Sequence, residues 1–312
     1  MRIVFMGTPD IAAGVLKVLI NSDHEISCVV TQPDKPNGRG NGITFSPVKK
    51  LALENGIEVL QPLKASAPEF EDKLKEYNPD IIVVVAFGQI LKKNILELAK
   101  YGCVNVHASL LPKYRGASPI QWAVINGEKE TGITIMQMDP GIDTGDIILQ
   151  EKIKLAPDET AGSLFDRLTF LAGPVLLQAL DRIEAGTAEF IHQDNDKATY
   201  VSVLKKSMGK LDFSFSAVEI ERLIRGLIPW PGAYTFINGK MLKIWKSVVA
   251  SEYDKIEALP GQIRIVDNAF FIGTLDSPLE ILELQIEGKK RMPAYDFLRG
   301  TAIEDGMMTD NI

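Results

Sequence analysis

Asn105 and His107 are the two residues of this chain whose types and spacing best suit chemistry, and they end an apolar run that begins near Gly102. Side chains two apart in a strand project from the same face. If Tyr101 to Val106 is a strand of a parallel sheet, both side chains lie near its carboxyl end, where open α/β folds bind ligands. An amide can donate a hydrogen bond to an oxyanion, and an imidazole exchanges protons near neutral pH. The pair predicts chemistry on a carbonyl group, although a polar strand end without function has the same pattern.

Two segments downstream strengthen the catalytic interpretation. Ser109 to Pro112 leaves the strand on a rigid bend, and the run Lys113 to Gly116 supplies two cations and a glycine. About 25 residues later, Asp139 to Asp146 forms a loop rich in Gly and Asp between two strand-like runs, Gly132 to Met138 and Ile147 to Ile153. A loop of this composition can place a carboxylate beside an imidazole.

The elements that must position these residues alternate between strand and helix. Apolar runs predict strands at Arg2 to Met6, Ile26 to Thr31 and Asp80 to Ala86, and helical periodicity separates them. This alternation is typical of an α/β fold with a doubly wound, Rossmann-like parallel sheet. One amphipathic helix, Thr160 to Ala185, closes the first domain, and the polar segment Glu189 to Tyr200 crosses away from it.

The last third of the chain has a different pattern. A short helix near Ala217 to Leu227 precedes several short strands, and Asn238-Gly239 is a strong hairpin signal. Short strands separated by turns predict a small β-barrel. We therefore expect a catalytic domain over residues 1–189, a linker over 190–206 and a β-barrel domain over 207–312.

At this level of detail the chain resembles the folate-dependent formyltransferase family. The resemblance rests on NVHASLLPKYRGASPIQWAVINGE, TGITIMQMDPGIDTGDI, the opening MRIVFMGTPD, TQPDKPNGRG and a late PWPGAY. It implies that Asn105, His107 and Asp143 are catalytic, and that Ser109, Leu110, Leu111 and Pro112 contact the folate. It also implies an OB-like fold for the C-terminal domain. The implied reaction transfers the formyl group of 10-formyltetrahydrofolate to the α-amine of methionyl initiator tRNA, with no metal.

The segment Gln32 to Pro47 is long and dense in Pro and Gly, as functional or disordered loops are. Lys35 and Arg39 lie in it, and Lys49 opens the next helix, so these cations can reach a phosphate backbone. The resemblance implies that this loop enters the acceptor arm of the tRNA. A solvated loop is the alternative, and the uncharged Asn41 to Thr44 departs from relatives that carry further basic residues there.

The composition of the chain agrees with that of a soluble enzyme. The chain has 312 residues, 46% of them hydrophobic, and a formal net charge of −7, so any positive field toward RNA must be local and the binding salt-dependent. No apolar run reaches the ~18 residues of a membrane span. We expect a cytoplasmic monomer with no membrane contact, whose two cysteines are reduced core residues.

The sequence argues against some other functions and leaves others open. The start, Gly7-Thr8-Pro9-Asp10, matches no dinucleotide or ATP motif, and no His/Cys cluster has zinc spacing. A formyltransferase acting on a nucleotide sugar or on glycinamide ribonucleotide would share the Asn, His and Asp, as would a formyl-folate hydrolase. A non-catalytic tRNA-binding protein is the alternative from another class, and the intact catalytic set argues against it.

Overall fold

The computed structural model describes residues 1–36, 43–250 and 256–310. The chain forms two compact units, the first made of Met1–Pro119, Glu130–Lys154 and Phe165–Val201. The second is made of Ile120–Lys129, Leu155–Leu164 and the chain from Ser202 onward.

Most of the elements before residue 202 alternate between strand and helix. In chain order they are β1 (Arg2–Gly7), α1 (Asp10–Ile20), β2 (Glu25–Val30), β3 (Lys35–Pro36), β4 (Ile43–Thr44), α2 (Pro47–Glu54), β5 (Val59–Leu60), α3 (Pro68–Lys75), β6 (Ile81–Val85), α4 (Lys93–Leu96), β7 (Cys103–His107), β8 (Arg115–Gly116), α5 (Pro119–Ile125), β9 (Glu130–Gln137), β10 (Ile147–Lys154), α6 (Ala161–Glu184), a 3-10 turn (Asn195–Lys197) and β11 (Tyr200–Val201).

Seven of these strands form one sheet, in the order β10-β9-β7-β6-β1-β2-β5. The five strands from β7 to β5 are parallel, whereas β9 runs antiparallel to β7, and β10 to β9. The central strand β6 has the sequence IIVVV and is buried throughout, as expected for a strand covered by helices on both faces. The chain order reverses between β1 and β6, which places a ligand crevice at the carboxyl ends of these strands.

Helix boundaries follow local signals. Helix α2 has Pro47 at its first turn, and the Ser46 hydroxyl accepts a hydrogen bond from the backbone N–H of Lys49. The long helix α6 matches the predicted amphipathic helix to within a residue at each end, because its apolar residues recur on one face.

The second unit contains an antiparallel sheet. Its elements are a 3-10 turn (Lys206–Gly209), α7 (Ala217–Gly226), β12 (Ala233–Ile237), β13 (Lys240–Val249), β14 (Ile263–Val266), β15 (Ala269–Ile272), β16 (Leu279–Ile286), β17 (Met292–Pro293) and α8 (Ala294–Gly300). The strand order is β12-β13-β16-β15-β14, with β17 beside β16. Both residues of the predicted turn, Asn238 and Gly239, have positive φ, which a type I′ hairpin requires.

The predicted fold class is thus confirmed as a Rossmann-like parallel sheet followed by an antiparallel β domain. Helices α7 and α8 share one hydrophobic core with the second sheet, in which Phe297 of α8 packs against Phe270 of β15. Over the described ranges, none of the helices combines the length and apolarity that a bilayer-spanning segment needs.

Candidate active site

Strand β7 carries the predicted Asn and His. It is hydrogen-bonded between β6 and β9, and Asn105 lies opposite Val84 on one side and Met136 on the other. Asn105 and His107 project from the same face, with Cα atoms roughly 7 Å apart at the usual strand rise. Asn105 is partly exposed, and no described residue hydrogen-bonds its side chain. Its amide is therefore available to a ligand.

His107 is 6% exposed, and one of its two ring nitrogens, Nε2, is fixed by a hydrogen bond. Its Nε2 atom lies 2.9 Å from the backbone oxygen of Tyr114. Because a carbonyl oxygen can only accept, Nε2 must carry a hydrogen and donate it. In the neutral ring this leaves Nδ1 as the unprotonated nitrogen, so Nδ1 is the atom that exchanges a proton.

Asp143 is the carboxylate that faces this atom. Its Oδ2 lies 3.7 Å from His107 Nδ1, which is too long for a hydrogen bond but within the distance at which a carboxylate and a charged imidazole attract each other. The same oxygen accepts a hydrogen bond of 2.7 Å from the backbone N–H of Gly116. The structure therefore places the Asp143 carboxylate beside His107, with Asn105 two residues before His107 on the same strand.

The loop that carries Asp143 reaches His107 by an indirect path. Strand β9 is antiparallel to β7, and its end at Gln137 lies beside Val104, at the start of β7. The loop must therefore fold back along the sheet to reach His107. Asp139 braces it by accepting hydrogen bonds from the Gly141 N–H and the Thr144 hydroxyl.

Gly145 is required where this loop rejoins the sheet. A Cβ atom at this position would lie 1.7 Å from the backbone oxygen of Gln137. No side chain fits there without moving backbone.

The predicted folate segment, Ser109 to Pro112, is held by side chains of β9 and β10. The Thr134 hydroxyl donates a hydrogen bond to the backbone oxygen of Ser109 at 2.6 Å. It accepts one from the backbone N–H of Leu111 at 3.2 Å. Gln150 donates to the Leu111 oxygen at 2.9 Å. The side chain of Leu111 is buried with Met136 and Ile147. These hydrogen bonds consequently hold the segment in one conformation, shortly after His107 in the chain.

The loops at the carboxyl ends of β1, β2 and β6 are tied together by polar side chains that sequence reasoning did not single out. Thr8 Oγ1 and Gln32 Nε2 both donate to the backbone oxygen of Phe87, at 3.1 and 3.0 Å. Gln89 accepts from the Ala65 N–H and donates to the Pro62 oxygen. These bonds rigidify the edge of the sheet at which His107 ends.

The residues expected to contact tRNA differ in their surroundings. Lys35 is exposed in β3, and Arg39 lies outside the described residues. Lys49 Nζ is 2.5 Å from Asp34 Oδ2 and 2.8 Å from Gln61 Oε1. The hydrogen bonds from Lys49 and Gln61 hold the pKa of Asp34 below its ordinary value, so this partner stays ionised at neutral pH. The charge of Lys49 is thus already matched by a carboxylate.

The cysteines and metal-ligating side chains add no further chemistry in the described part of the chain. Cys28 and Cys103 are both free and buried, and burial raises the pKa of each thiol to about 12. Such thiols are unreactive at neutral pH. Across residues 1–36, 43–250 and 256–310, no three His, Cys, Asp or Glu side chains converge as metal ligands.

Comparison with known proteins assigns the family. The family model for formyl transferase matches residues 1–180, and the model for its C-terminal domain matches residues 203–302. The methionyl-tRNA formyltransferase of Lachnospira eligens is 55% identical over 312 residues, covering 99% of each chain. That of Agathobacter rectalis is 52% identical over 307 residues, covering 98% of each.

A solved structure agrees in fold. The N-formyltransferase from Helicobacter canadensis, in complex with folinic acid and dTDP-3-aminofucose, is 25% identical, with a TM-score of 0.68. The match covers 90% of this chain and 98% of that one. With two family models along its length and relatives of about half-identical sequence over the whole chain, this protein belongs to the formyl transferase family, among the methionyl-tRNA formyltransferases.

Proposed function

We propose that Asn105, His107 and Asp143 transfer the formyl group of 10-formyltetrahydrofolate to the α-amine of methionine esterified to initiator tRNA. The observation that carries this proposal is the placement of His107, with Nε2 donating to Tyr114 and Nδ1 facing the Asp143 carboxylate. Asn105, two residues earlier, has an amide that no described residue engages. Formyl transfer needs this combination of a donor for an oxyanion and a group that exchanges a proton.

The residues act on the two reacting bonds as follows. The folate supplies a formyl group bound to N10, and the neutral α-amine attacks its carbon, so negative charge develops on the formyl oxygen. Asn105 donates a hydrogen bond to that oxygen, and His107, protonated at Nδ1, adds positive charge beside it. The carboxylate of Asp143 stabilises the protonated imidazole.

Proton transfer completes the reaction, and the enzyme neither gains nor loses a proton overall. The proton that the amine loses as its new C–N bond forms passes to N10 as the old C–N bond breaks. His107 Nδ1 can relay this proton, directly or through water, by giving its own proton to N10 and taking up the proton of the amine in exchange, while Nε2 keeps its hydrogen on the Tyr114 carbonyl.

We place the folate against Ser109 to Pro112 and the neighbouring loops. Leu63 and Ile90 support this, because they are 90% and 82% exposed on two loops that Gln89 holds together. Exposed apolar side chains beside a rigid edge are suited to cover a flat aromatic ring system.

Three further assignments belong to the same proposal. We assign the tRNA contacts to Lys35, Arg39 and Lys49. The contact of Lys49 is the weaker one, because its ammonium already pairs with Asp34. We divide the chain into domains at 1–189 and 207–312 with a linker at 190–206, which the family-model ranges support. We place the reaction in the cytoplasm, where charged initiator tRNA is used.

The test is a formyl-transfer assay with purified protein and 10-formyltetrahydrofolate. We expect transfer to methionyl initiator tRNA, and little or none to free methionine or methionyl elongator tRNA. Glycinamide ribonucleotide and an amino-sugar nucleotide are further acceptors to compare, and formate release without acceptor measures hydrolysis. Faster turnover with one of these acceptors, or hydrolysis faster than transfer, would contradict the proposal.

A further inference from the structure

Arg115 is buried but has only neutral partners among the described residues. The residue is 1% exposed. Its Nε and Nη2 donate to Gln193 Oε1 at 3.1 and 2.8 Å. Nη2 also donates to Asn195 Oδ1 at 2.9 Å, and Nη1 to the Tyr200 hydroxyl at 3.0 Å. A buried guanidinium commonly pairs with a carboxylate, and here an amide takes that place.

Arg115 settles the orientation of the Gln193 side chain. A guanidinium only donates hydrogen bonds, so the amide atom that faces it must be the oxygen. The amide nitrogen therefore points the other way, where Nε2 donates to the backbone oxygen of Asp143 at 2.9 Å and to that of Gly145 at 2.7 Å. Gln193 is 3% exposed and uses both of its N–H groups on this one loop.

The loop needs such a support at Asp143. This residue has φ +53°, in the left-handed region that costs free energy for any residue with a Cβ. Its backbone is held by Gln193, and its carboxylate is held by the N–H of Gly116. Gly116 in turn lies in β8, paired with β11 of the same polar segment that carries Gln193.

We propose that Gln193 is a positioning residue for catalysis, whose amide, oriented by Arg115, holds Asp143 in the conformation that faces its carboxylate toward His107. The inference rests on the proposed role of Asp143. Gln193 makes no hydrogen bond with any of the three catalytic side chains and acts through the backbone of the Asp143 loop.

Gln193→Glu is the test substitution. The side chain keeps its shape, and its carboxylate still accepts from Arg115, so the fold should survive. An ionised carboxylate has no hydrogen to donate, and it faces two carbonyl oxygens. We expect kcat to fall roughly 10- to 100-fold, the scale of a misplaced catalytic group, with KM for folate and tRNA little changed. Asn195→Ala is the matched control: it removes another acceptor of Arg115 without touching the loop, and should keep the wild-type kcat.

A double-mutant cycle separates positioning from general weakening. If Gln193 acts through Asp143, adding Gln193→Glu to Asp143→Asn should lower kcat no further. Independent, additive losses would overturn the inference, as would a wild-type kcat in Gln193→Glu. If Gln193→Glu fails to fold, Gln193→Asn, whose shorter amide cannot span Arg115 and both carbonyls, takes its place in the cycle. Full activity in Asp143→Asn alone would instead overturn the proposed role of Asp143, and the inference with it.

Discussion

The Asn105 side chain on β7 is partly exposed and makes no hydrogen bond with any described residue. Its removal should therefore leave the fold intact. We expect Asn105→Ala to lower kcat about 10²- to 10³-fold, the usual cost of one oxyanion donor, with an unchanged melting temperature. Asn94→Ala serves as the control, because Asn94 bonds Glu71 away from the catalytic residues. Rates within a few-fold of wild type in Asn105→Ala would contradict an oxyanion role.

Asp143 tests charge separately from shape. Asparagine tolerates the left-handed conformation and can still accept from the Gly116 N–H, so Asp143→Asn removes the charge and little else. In the proposed mechanism the positive charge on His107 during transfer loses its neighbouring carboxylate in this variant, so we expect a lower kcat and a pH–rate profile of different shape, measured from pH 5 to 9. An unchanged profile with wild-type kcat would reduce Asp143 to a residue that braces its loop.

At the scale of elements, the loop between β9 and β10 depends on Gly145. In Gly145→Ala the new Cβ meets the Gln137 oxygen at 1.7 Å, so the loop must shift. We expect a loss of about 1–3 kcal/mol in the free energy of unfolding, by urea titration, and a lower kcat. Gly300→Ala is the control and should be neutral or slightly stabilising, because an added Cβ there lies more than 4 Å from every described residue beyond its own stretch of chain. Equal stability of the two variants would show that the loop adapts.

Helix α7 should make the protein sensitive to acid. Ser216 and Glu219 form a capping box, and the hydrogen bonds from Ser216 lower the pKa of Glu219. The Ala217 N–H likewise lowers the pKa of Asp276. A depressed pKa stabilises the fold above the unfolded value, 4.5 for Glu, and the contribution is lost as pH falls through the folded pKa. We expect Glu219→Gln to be less stable than wild type at pH 7, the difference shrinking as Glu219 is protonated. Glu54→Gln is the control, and a constant difference would contradict this linkage.

For the whole molecule, a net charge of −7 means that RNA binding depends on a few local cations. Replacing Lys35 or Arg39 by Ala should make the log–log salt dependence of initiator tRNA binding shallower by roughly 0.7–0.9, one phosphate contact each. Lys49→Ala should change the slope less, because Asp34 already pairs with Lys49. The measurement is a filter-binding titration over several salt concentrations, and equal slopes in all three variants would contradict the assignment.

The sequence by itself determined the local features of the fold and the features that belong to long motifs. Continuous apolar runs predicted the central strands, and a 3.6-residue period predicted the long helix α6, because burial of an apolar face follows the backbone repeat. Asn-Gly predicted its hairpin, because only such residues take positive φ cheaply. The spacing of Asn105 and His107 placed both on one face of β7.

Only the tertiary structure decided which groups meet across the chain. The Tyr114 carbonyl and the Gly116 N–H contact His107 and Asp143 through backbone atoms, which every residue possesses and no motif reveals. The antiparallel course of β9, which sends the Asp143 loop back along the sheet, is a matter of strand pairing at long range. Gln193 lies in a polar segment without periodicity, yet is buried because Arg115 and two loop carbonyls, distant in sequence, satisfy its amide. Partners of this kind depend on long-range packing, which local propensity does not encode.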